Sequence, residues 1–323
     1  MKAVVCTELG SPEKLEIQEL ELPKITKDQV LVNVEAAGIN FPDALLVQGK
    51  YQILLDPPFI PGNEIAGIIK EVGDNVNLEI GTKIIGLPEK GGYAEEIILH
   101  KSAIIPINID FPSEIAAGLP INYGTTYYAL KRRANLMVGD KLLILGAAGG
   151  IGTASIQIGK ALGAKIYAAV GSDLKEEYVK KLGADYVIRY DNEDLKERIK
   201  ELTDNQGVDV VIDPVGGKYS EEAVRGTAWN GRYLVIGFAN GAIPSIPLNL
   251  PLVKGISIVG VWWGRWFKTA PHEAMDDFGE LLKLIQNKKL IIEPPSIYSM
   301  QDTSKALIDF LERRNLGKTV IKF

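Results

Sequence analysis

The feature that most constrains the fold of this chain is a glycine-rich loop that follows a short apolar strand. The strand is predicted at residues 141–145, and residues 146–152 read Gly-Ala-Ala-Gly-Gly-Ile-Gly. Between a strand and a helix, such a loop lets backbone amides and the helix N-terminus bind a diphosphate. A P-loop is excluded because no Gly-Lys-Ser/Thr sequence ends the loop. The loop therefore predicts a dinucleotide-binding domain.

After this loop the chain alternates between continuous apolar strands and helical segments. The strands are predicted at residues 141–145, 165–170, 186–188, 208–212, 232–236 and 256–261. Strands that are apolar throughout are typical of a parallel sheet with helices on both faces. Residues 153–162 carry apolar side chains at helical spacing, and Gly163 follows as a helix stop. The fold class expected is α/β, with a doubly wound parallel sheet.

The two ends of the chain have a different texture. Residues 1–106 contain short β-type runs broken by Gly and Pro, and residues 273–323 suggest two amphipathic helices and a last strand. A length of 323 residues favours two domains. We expect one domain from residues 1–122 plus 264–323 and another from residues 123–263, with the ligand site in the cleft between them.

Composition excludes several classes of protein. The net charge of −5 argues against nucleic acid or an anionic membrane as the partner. The sequence predicts neither a secretory segment nor a membrane-spanning run. Because Cys6 is the only cysteine, an internal disulfide is impossible and a cytoplasmic location is favoured. With two histidines and one cysteine, no zinc-ligand pattern can be drawn, so no metal is predicted.

The end of the second strand of the sheet indicates which dinucleotide is bound. NAD enzymes usually place an acid there, on the ribose 2′-hydroxyl. Here the strand runs into Gly171, and then Ser172 and Lys175 offer a donor and a cation that suit a 2′-phosphate. Asp173 leaves an alternative, because it is either that acid or a residue favoured by the helix dipole. NADPH is favoured over NADH.

Motifs along nearly the whole chain resemble the medium-chain dehydrogenase/reductase superfamily, in particular its zinc-free quinone oxidoreductase (zeta-crystallin-like) branch. They are Ala-Ala-Gly-Ile-Asn-Phe-Pro-Asp at 36–43, Pro-Gly-Asn-Glu-Ile-Ala-Gly at 61–67, Gly-Gly-Tyr-Ala-Glu at 91–95, the loop at 147–152, Lys-Leu-Gly-Ala-Asp at 181–185, Asp-Pro-Val-Gly-Gly at 213–217, residues 231–238, and Leu-Gly-Lys at 316–318. The resemblance implies a Rossmann sheet inserted into a GroES-like, mostly β domain.

The residues that would bind zinc are absent. The alcohol dehydrogenases of this superfamily hold a catalytic zinc with a Cys where this chain has Asn40 and a His where it has Asn63. An amide oxygen is a poor zinc ligand beside thiolate and imidazole. The resemblance therefore implies the zinc-free branch.

The resemblance also implies which residues bind the cofactor. They are Asn40 and Thr125 near the nicotinamide, Gly149, Gly150, Ile151 and Gly152 at the diphosphate, Ser172, Lys175 and Tyr190 at the 2′-phosphate, Val215, Phe238 and Trp263 beside the nicotinamide ring, and Arg313 from the C-terminal part. Arg314 is the alternative to Arg313. For Trp263 and its neighbour Trp262, packing in the core is the alternative.

The function expected is hydride transfer from NADPH to a quinone or an α,β-unsaturated carbonyl compound. Asn40 and Tyr51 are the candidate catalytic residues, with Tyr51 either donating to a developing oxyanion or serving a structural role. The alternatives are an enoyl- or acryloyl-CoA reductase and a non-catalytic, crystallin-like NADPH-binding protein.

Residues 256–261 would form an apolar edge strand, which favours a homodimer paired through that strand.

Overall fold

The computed structural model describes residues 1–107 and 111–323 of the chain. The strands are β1 (Lys2–Cys6), β2 (Leu15–Glu19), β3 (Gln29–Ile39), β4 (Ile65–Val72), β5 (Lys83–Gly86), β6 (Glu96–His100), β7 (Ile104–Pro106), β8 (Lys141–Leu145), β9 (Lys165–Val170), β10 (Tyr186–Arg189), β11 (Val208–Asp213), β12 (Thr227–Val235), β13 (Ser257–Gly260), β14 (Ser296–Ser299) and β15 (Thr319–Lys322). The α-helices are α1 (Phe41–Val47), α2 (Ser113–Leu119), α3 (Thr125–Tyr127), α4 (Gly150–Ala161), α5 (Asp173–Lys181), α6 (Leu195–Leu202), α7 (Tyr219–Gly226), α8 (Asn249–Lys254), α9 (Trp263–Thr269), α10 (Pro271–Gln286) and α11 (Thr303–Leu311).

The chain divides into two compact units. Unit 1 contains Met1–Ile121 and Pro294–Phe323, and unit 2 contains Asn122–Glu293. The sequence prediction ended the second unit at residue 263, whereas the structure includes α10 in it. Helix α10 packs on α9 and α3 of unit 2, and Arg132 donates to both carboxylate oxygens of Asp277 on α10 at 2.8–3.0 Å.

Unit 2 is built on a parallel six-stranded sheet in the order β10-β9-β8-β11-β12-β13. Residues 142–145 of its central strand β8 are all 0% exposed, as expected for a strand with helices on both sides. The strand order reverses between β8 and β11, which is where doubly wound sheets bind ligands, at the carboxyl ends of the strands. The predicted α/β class is confirmed.

Unit 1 is built on a mixed sheet in the order β14-β15-β3-β4-β5-β7, with β6 also paired to β3. Strand β15 comes from the C-terminal end and pairs antiparallel with β3, so that Ile321 lies opposite Ala37. The two ends of the chain therefore share one sheet. Side chains of Val32, Ile65 and Ile84 fill the core beneath it and are 0% exposed.

The segment between the two sheets departs from regular α-helix. Helix α2 continues into π-helical turns at Pro120–Gly124 and Tyr128–Arg133, with α3 between them. Pro120 has no amide hydrogen to donate, which breaks the α-helical hydrogen-bond pattern at that point. None of the helices in residues 1–107 and 111–323 has the length and apolarity needed to cross a lipid bilayer.

Candidate functional site

The glycine loop of unit 2 lies between β8 and α4. Gly149 is the N-cap of α4 and offers no side chain to the first amides of the helix. Those amides belong to Gly150, Ile151 and Gly152, and a helix provides no acceptor for them. A Cβ at Gly152 would overlap the backbone of Ala147, so the close approach of the helix to the loop requires glycine there.

Asn122 lies against this helix N-terminus. Its amide nitrogen packs so closely on Gly150 that a Cβ at position 150 would overlap it. The residue is 6% exposed. A side-chain amide at this place can donate to an anion bound at the helix N-terminus. Asn122 and the first turn of α4 together form a candidate anion-binding arrangement.

The loop after β11 completes this end of the sheet. Asp213 is 2% exposed, and its Oδ1 accepts hydrogen bonds from the amides of Val215 (2.7 Å) and Gly216 (2.8 Å). This fixes Val215 beside Gly146 of the glycine loop. Phe238 packs on Gly216, so the predicted residues Val215 and Phe238 lie together with the glycine loop.

The predicted Thr125 and Trp263 lie close to each other. Trp263 is 5% exposed, and its indole packs on Gly124, the residue before Thr125. Its ring also contacts Phe267 at a centroid distance of 5.4 Å. Trp263 is therefore a packed core side chain beside Thr125, whereas Trp262 is 65% exposed.

The predicted 2′-phosphate residues gather at the ends of β9 and β10. Ser172 is the N-cap of α5, and its hydroxyl accepts from the Lys175 amide at 3.4 Å. The ring of Tyr190 lies over Gly171 and is 4.3 Å, centroid to centroid, from the ring of Tyr219. The structure therefore brings Ser172, Lys175 and Tyr190 into one neighbourhood.

Unit 1 contains a buried polar cluster around Lys318. The Lys318 ammonium donates to the Ile39 carbonyl (2.9 Å), to Oδ1 of Asn40 (2.8 Å) and to Oε1 of Glu64 (2.5 Å). Asn40 Nδ2 donates to Glu64 Oε1 at 2.8 Å and to Asn63 Oδ1 at 3.3 Å. Both hydrogens of the Asn40 amide group are thus committed within the protein. This geometry makes Asn40 a residue that positions Asn63 and Glu64.

A second carboxylate, Asp43, lies next to this cluster. Its Oδ2 accepts from the Asn40 amide at 2.8 Å, and its Oδ1 has no partner of good hydrogen-bond geometry. Burial raises the pKa of Asp43 to about 7, although Asn40, the Tyr93 hydroxyl and Lys318 each favour the carboxylate. The pKa of Tyr93 is raised well above its ordinary value by burial and by Asp43.

Tyr51 is half-buried in the bend after α1. Burial and the nearby charge of Asp43 both raise the pKa of its hydroxyl. The Tyr51 hydroxyl therefore keeps its proton at neutral pH. Arg313 is exposed, with a left-handed φ of 59°, while Arg314 pairs with Asp309 at 2.8 Å.

Sequence reasoning missed several residues of these sites. Glu64 and Lys318 lie within the motifs at 61–67 and 316–318, which predict no role for them, and their pairing spans 254 positions. Asp213 also lies within a motif that predicts no role for it. It holds Val215 in place by accepting hydrogen bonds from backbone amides. A signal for Asn122 did exist, since it is a polar residue between Ile121 and Tyr123 in a buried segment.

A doubly wound sheet with a glycine loop, carried between the two parts of a mostly β unit, defines a two-domain dehydrogenase or reductase. Residues 26–109 match the family model described as alcohol dehydrogenase GroES-like domain, and residues 150–287 match that of zinc-binding dehydrogenase. The quinone oxidoreductase-like protein 2 homolog of Nematostella vectensis is 38% identical, over 99% of this chain and 88% of the relative. The chain belongs to the quinone oxidoreductase-like family of the medium-chain dehydrogenase/reductase superfamily.

Two solved structures illustrate the range of this family. The quinone oxidoreductase of Thermus thermophilus, solved alone and with NADPH, is 32% identical, with a TM-score of 0.86 and full coverage of both chains. The CurK enoyl reductase is 25% identical with a TM-score of 0.90, covering 99% of this chain and 98% of that one.

The residues in this chain do not fit the zinc ion that one family description implies. The ammonium of Lys318 already occupies the centre of the Asn40–Glu64 cluster, and a second cation there would meet its charge. The two asparagines offer amide oxygens, which bind zinc poorly. Residues 1–107 and 111–323 contain no group of three His, Cys, Asp or Glu side chains that could hold a metal.

Proposed function

We propose that this chain is an NADPH-dependent, zinc-independent reductase whose acceptors are quinones or α,β-unsaturated carbonyl compounds. The observation that carries the proposal is the uncapped first turn of α4, with the amide of Asn122 packed against it. It lies at the position where a dinucleotide diphosphate binds in this class of sheet. A relative with the same fold is solved with NADPH.

The residues of unit 2 would bind and orient the cofactor. The amides of Gly150, Ile151 and Gly152, following Gly149, would hold the diphosphate, and Ser172, Lys175 and Tyr190 would hold the 2′-phosphate. Val215, Phe238 and Thr125 would contact the nicotinamide, with Trp263 supporting Thr125 by packing. Arg313 of unit 1 is proposed as a further cofactor contact.

Bound NADPH supplies a hydride from nicotinamide C4, and the chain supplies orientation and hydrogen-bond donors. Without a metal to polarise a carbonyl, the acceptor must already be electron-poor, as quinones and enones are. The Tyr51 hydroxyl would donate to the oxyanion that forms, which its raised pKa permits at neutral pH. Asn40 would act through Asn63 and Glu64, by holding them in place.

A second candidate is reduction of an enoyl thioester. The observation that favours it is the similarity to the CurK enoyl reductase over nearly the whole of both chains. The chemistry at the acceptor is the same, since the double bond of an enoyl thioester is also conjugated to a carbonyl. The two candidates differ in the group that the acceptor carries.

The test is a steady-state assay of NADPH oxidation with a benzoquinone, a 2-alkenal and crotonyl-CoA, after treatment with a zinc chelator. Turnover of the quinone or the alkenal by chelator-treated protein is expected. A preference for crotonyl-CoA would favour the second candidate. Tight NADPH binding without turnover of any acceptor would favour a non-catalytic binding protein, and stoichiometric zinc would overturn zinc independence.

We also propose a homodimer paired through β13. This strand forms one edge of the six-stranded sheet, and Ile258 on it is 41% exposed. Trp229, next to Gly255 just before the strand, is 69% exposed. Proteins rarely leave an apolar edge strand uncovered, and a two-fold axis would pair it with its own copy.

A further inference from the structure

Three carboxylates gather around one arginine at the end of β10. The guanidinium of Arg189 donates through Nη1 to Asp173 and to Glu176 (3.1 Å). Through Nε and Nη2 it also binds both oxygens of Asp191, at 2.9 Å and 2.8 Å. The Arg189 side chain is 14% exposed, so these contacts occupy most of its surface.

This arginine cluster (Arg189, Asp173, Glu176 and Asp191) adjoins the proposed 2′-phosphate residues. Arg189 immediately precedes Tyr190, and Asp173 immediately follows Ser172. Arg189 also lies opposite Val170, the last residue of β9, in the parallel pairing of the two strands. A group bound between Ser172 and Tyr190 would therefore lie within a few ångströms of the cluster.

The charges of this region are close to balance. Four carboxylates face four cations. Lys175 lies in the same turn as Asp173, and Lys180 binds Glu176 at 2.6 Å. Glu193, which accepts from the Arg189 amide at 2.6 Å, pairs with Arg198 at 3.4 Å. Removing Arg189 would leave the region with a net negative charge. A 2′-phosphate carries about two negative charges at neutral pH and would then be repelled by Asp173 and Glu176.

Among the three acids, Asp173 has the greatest expected effect on the choice of nucleotide. It follows the end of β9, which is the position from which an acid binds the ribose 2′-hydroxyl in NAD enzymes. Its side chain is 94% exposed and is held by Arg189. When Arg189 is absent, nothing in the cluster holds Asp173 away from the ribose, and the chain would acquire the acid of an NADH site.

We propose that Arg189 determines the selectivity of this site for a 2′-phosphorylated nucleotide, by binding Asp173 and Glu176 and so removing them as repulsive and competing groups. This inference rests on the proposed NADPH-binding function. Arg189 is a positioning residue in this account, because it acts on the phosphate through the acids that it holds. Arg189 stays protonated, because its three carboxylate partners raise the pKa of the guanidinium.

The experiment compares 2′,5′-ADP with 5′-AMP as probes, since these differ by the 2′-phosphate. Their affinities would be measured by calorimetry on the full chain for the parent protein, Arg189→Met, Asp173→Asn and the double variant. For Arg189→Met we expect the preference for 2′,5′-ADP to fall about tenfold or more, the scale of one charge-assisted hydrogen bond. Asp173→Asn in that background should restore most of it.

Arg225→Met serves as the matched control, because Arg225 is an arginine of α7 that pairs with Glu221 outside the cluster. It should leave the preference unchanged. A loss of affinity for both probes alike in Arg189→Met, or no recovery in the double variant, would overturn the inference while leaving NADPH binding intact. Failure of the parent protein to bind 2′,5′-ADP or NADPH at all would overturn the proposed function and this inference together.

Discussion

The ammonium of Lys318 lies 2.5 Å from Oε1 of Glu64, and the two side chains are 5% and 0% exposed. Removing one partner of a buried ion pair leaves the other charge without compensation. Lys318→Met should therefore lower the free energy of unfolding by about 3–5 kcal/mol. Urea denaturation monitored by circular dichroism measures this change.

Two variants make that measurement specific. Lys14 pairs with Glu8 at the exposed surface, and Lys14→Met should have little effect because water already screens the pair. Glu64→Gln combined with Lys318→Met should lose less stability than Lys318→Met alone, since no buried charge remains. Equal losses in the single and double variants would contradict the assignment of the cost to an unpaired Glu64.

The contribution of Asp43 to the stability of the protein should fall as the pH rises from about 4 to about 7. Folding raises the pKa of Asp43 from an ordinary 3.8 to about 7, so the folded chain keeps a proton there that the unfolded chain has lost. The contribution is full below the unfolded pKa, is lost through this window and is level above it.

Asp43→Asn should remove this pH dependence, because the amide cannot ionise. Between pH 5 and pH 7.5 the variant should gain roughly 2–3 kcal/mol of unfolding free energy relative to the parent protein. Asp74→Asn at an exposed position is the control and should track the parent protein at both pH values. A parallel pH profile for Asp43→Asn would show that Asp43 keeps an ordinary pKa.

The sequence predicted the main strands of the fold well and the contacts of its buried polar side chains poorly, for physical reasons. The bounds of β8 and β9 follow from apolar runs that begin at a lysine and end before a glycine, which are local signals. The short β14 carries no such signal, because Ser296 and Ile297 are exposed on a sheet edge. It forms because β15 offers it a partner.

The site residues show the same division. The glycine loop could be predicted because its spacing is a local backbone requirement. Hydrogen bonds join Asn40 to Lys318 and Arg189 to Asp173, and each pair is separated in sequence. The directions of the side chains determine whether such contacts form. The resemblance implies that Asn40 lies near the nicotinamide, and it gave no sign of the hydrogen bonds from Asn40 to Glu64 and Lys318.

Asn122→Leu should weaken NADPH binding about tenfold or more, since a buried hydrogen bond to a charged diphosphate would be lost. Leucine keeps a similar volume, so the effect should appear in affinity more than in stability. Fluorescence titration with NADPH measures the loss, and 2′-AMP, which has no diphosphate, should bind as before. Tyr123→Phe removes the neighbouring bond to Gln157 and should bind NADPH normally. Unchanged NADPH affinity in Asn122→Leu would make Asn122 a packing residue.

The proposed dimer can be tested at one exposed isoleucine, Ile258. In light scattering after gel filtration, the parent protein should have a mass near twice the 35.2 kDa of the chain. Ile258→Lys places a charge on the β13 edge and should shift the mass to that of one chain at micromolar concentration. Ile17 on β2 is 43% exposed, close to the 41% of Ile258, so Ile17→Lys is a matched control that should stay dimeric. Because both substitutions add the same charge to an edge strand, dissociation by both would point to a general effect of charge and away from an interface at β13.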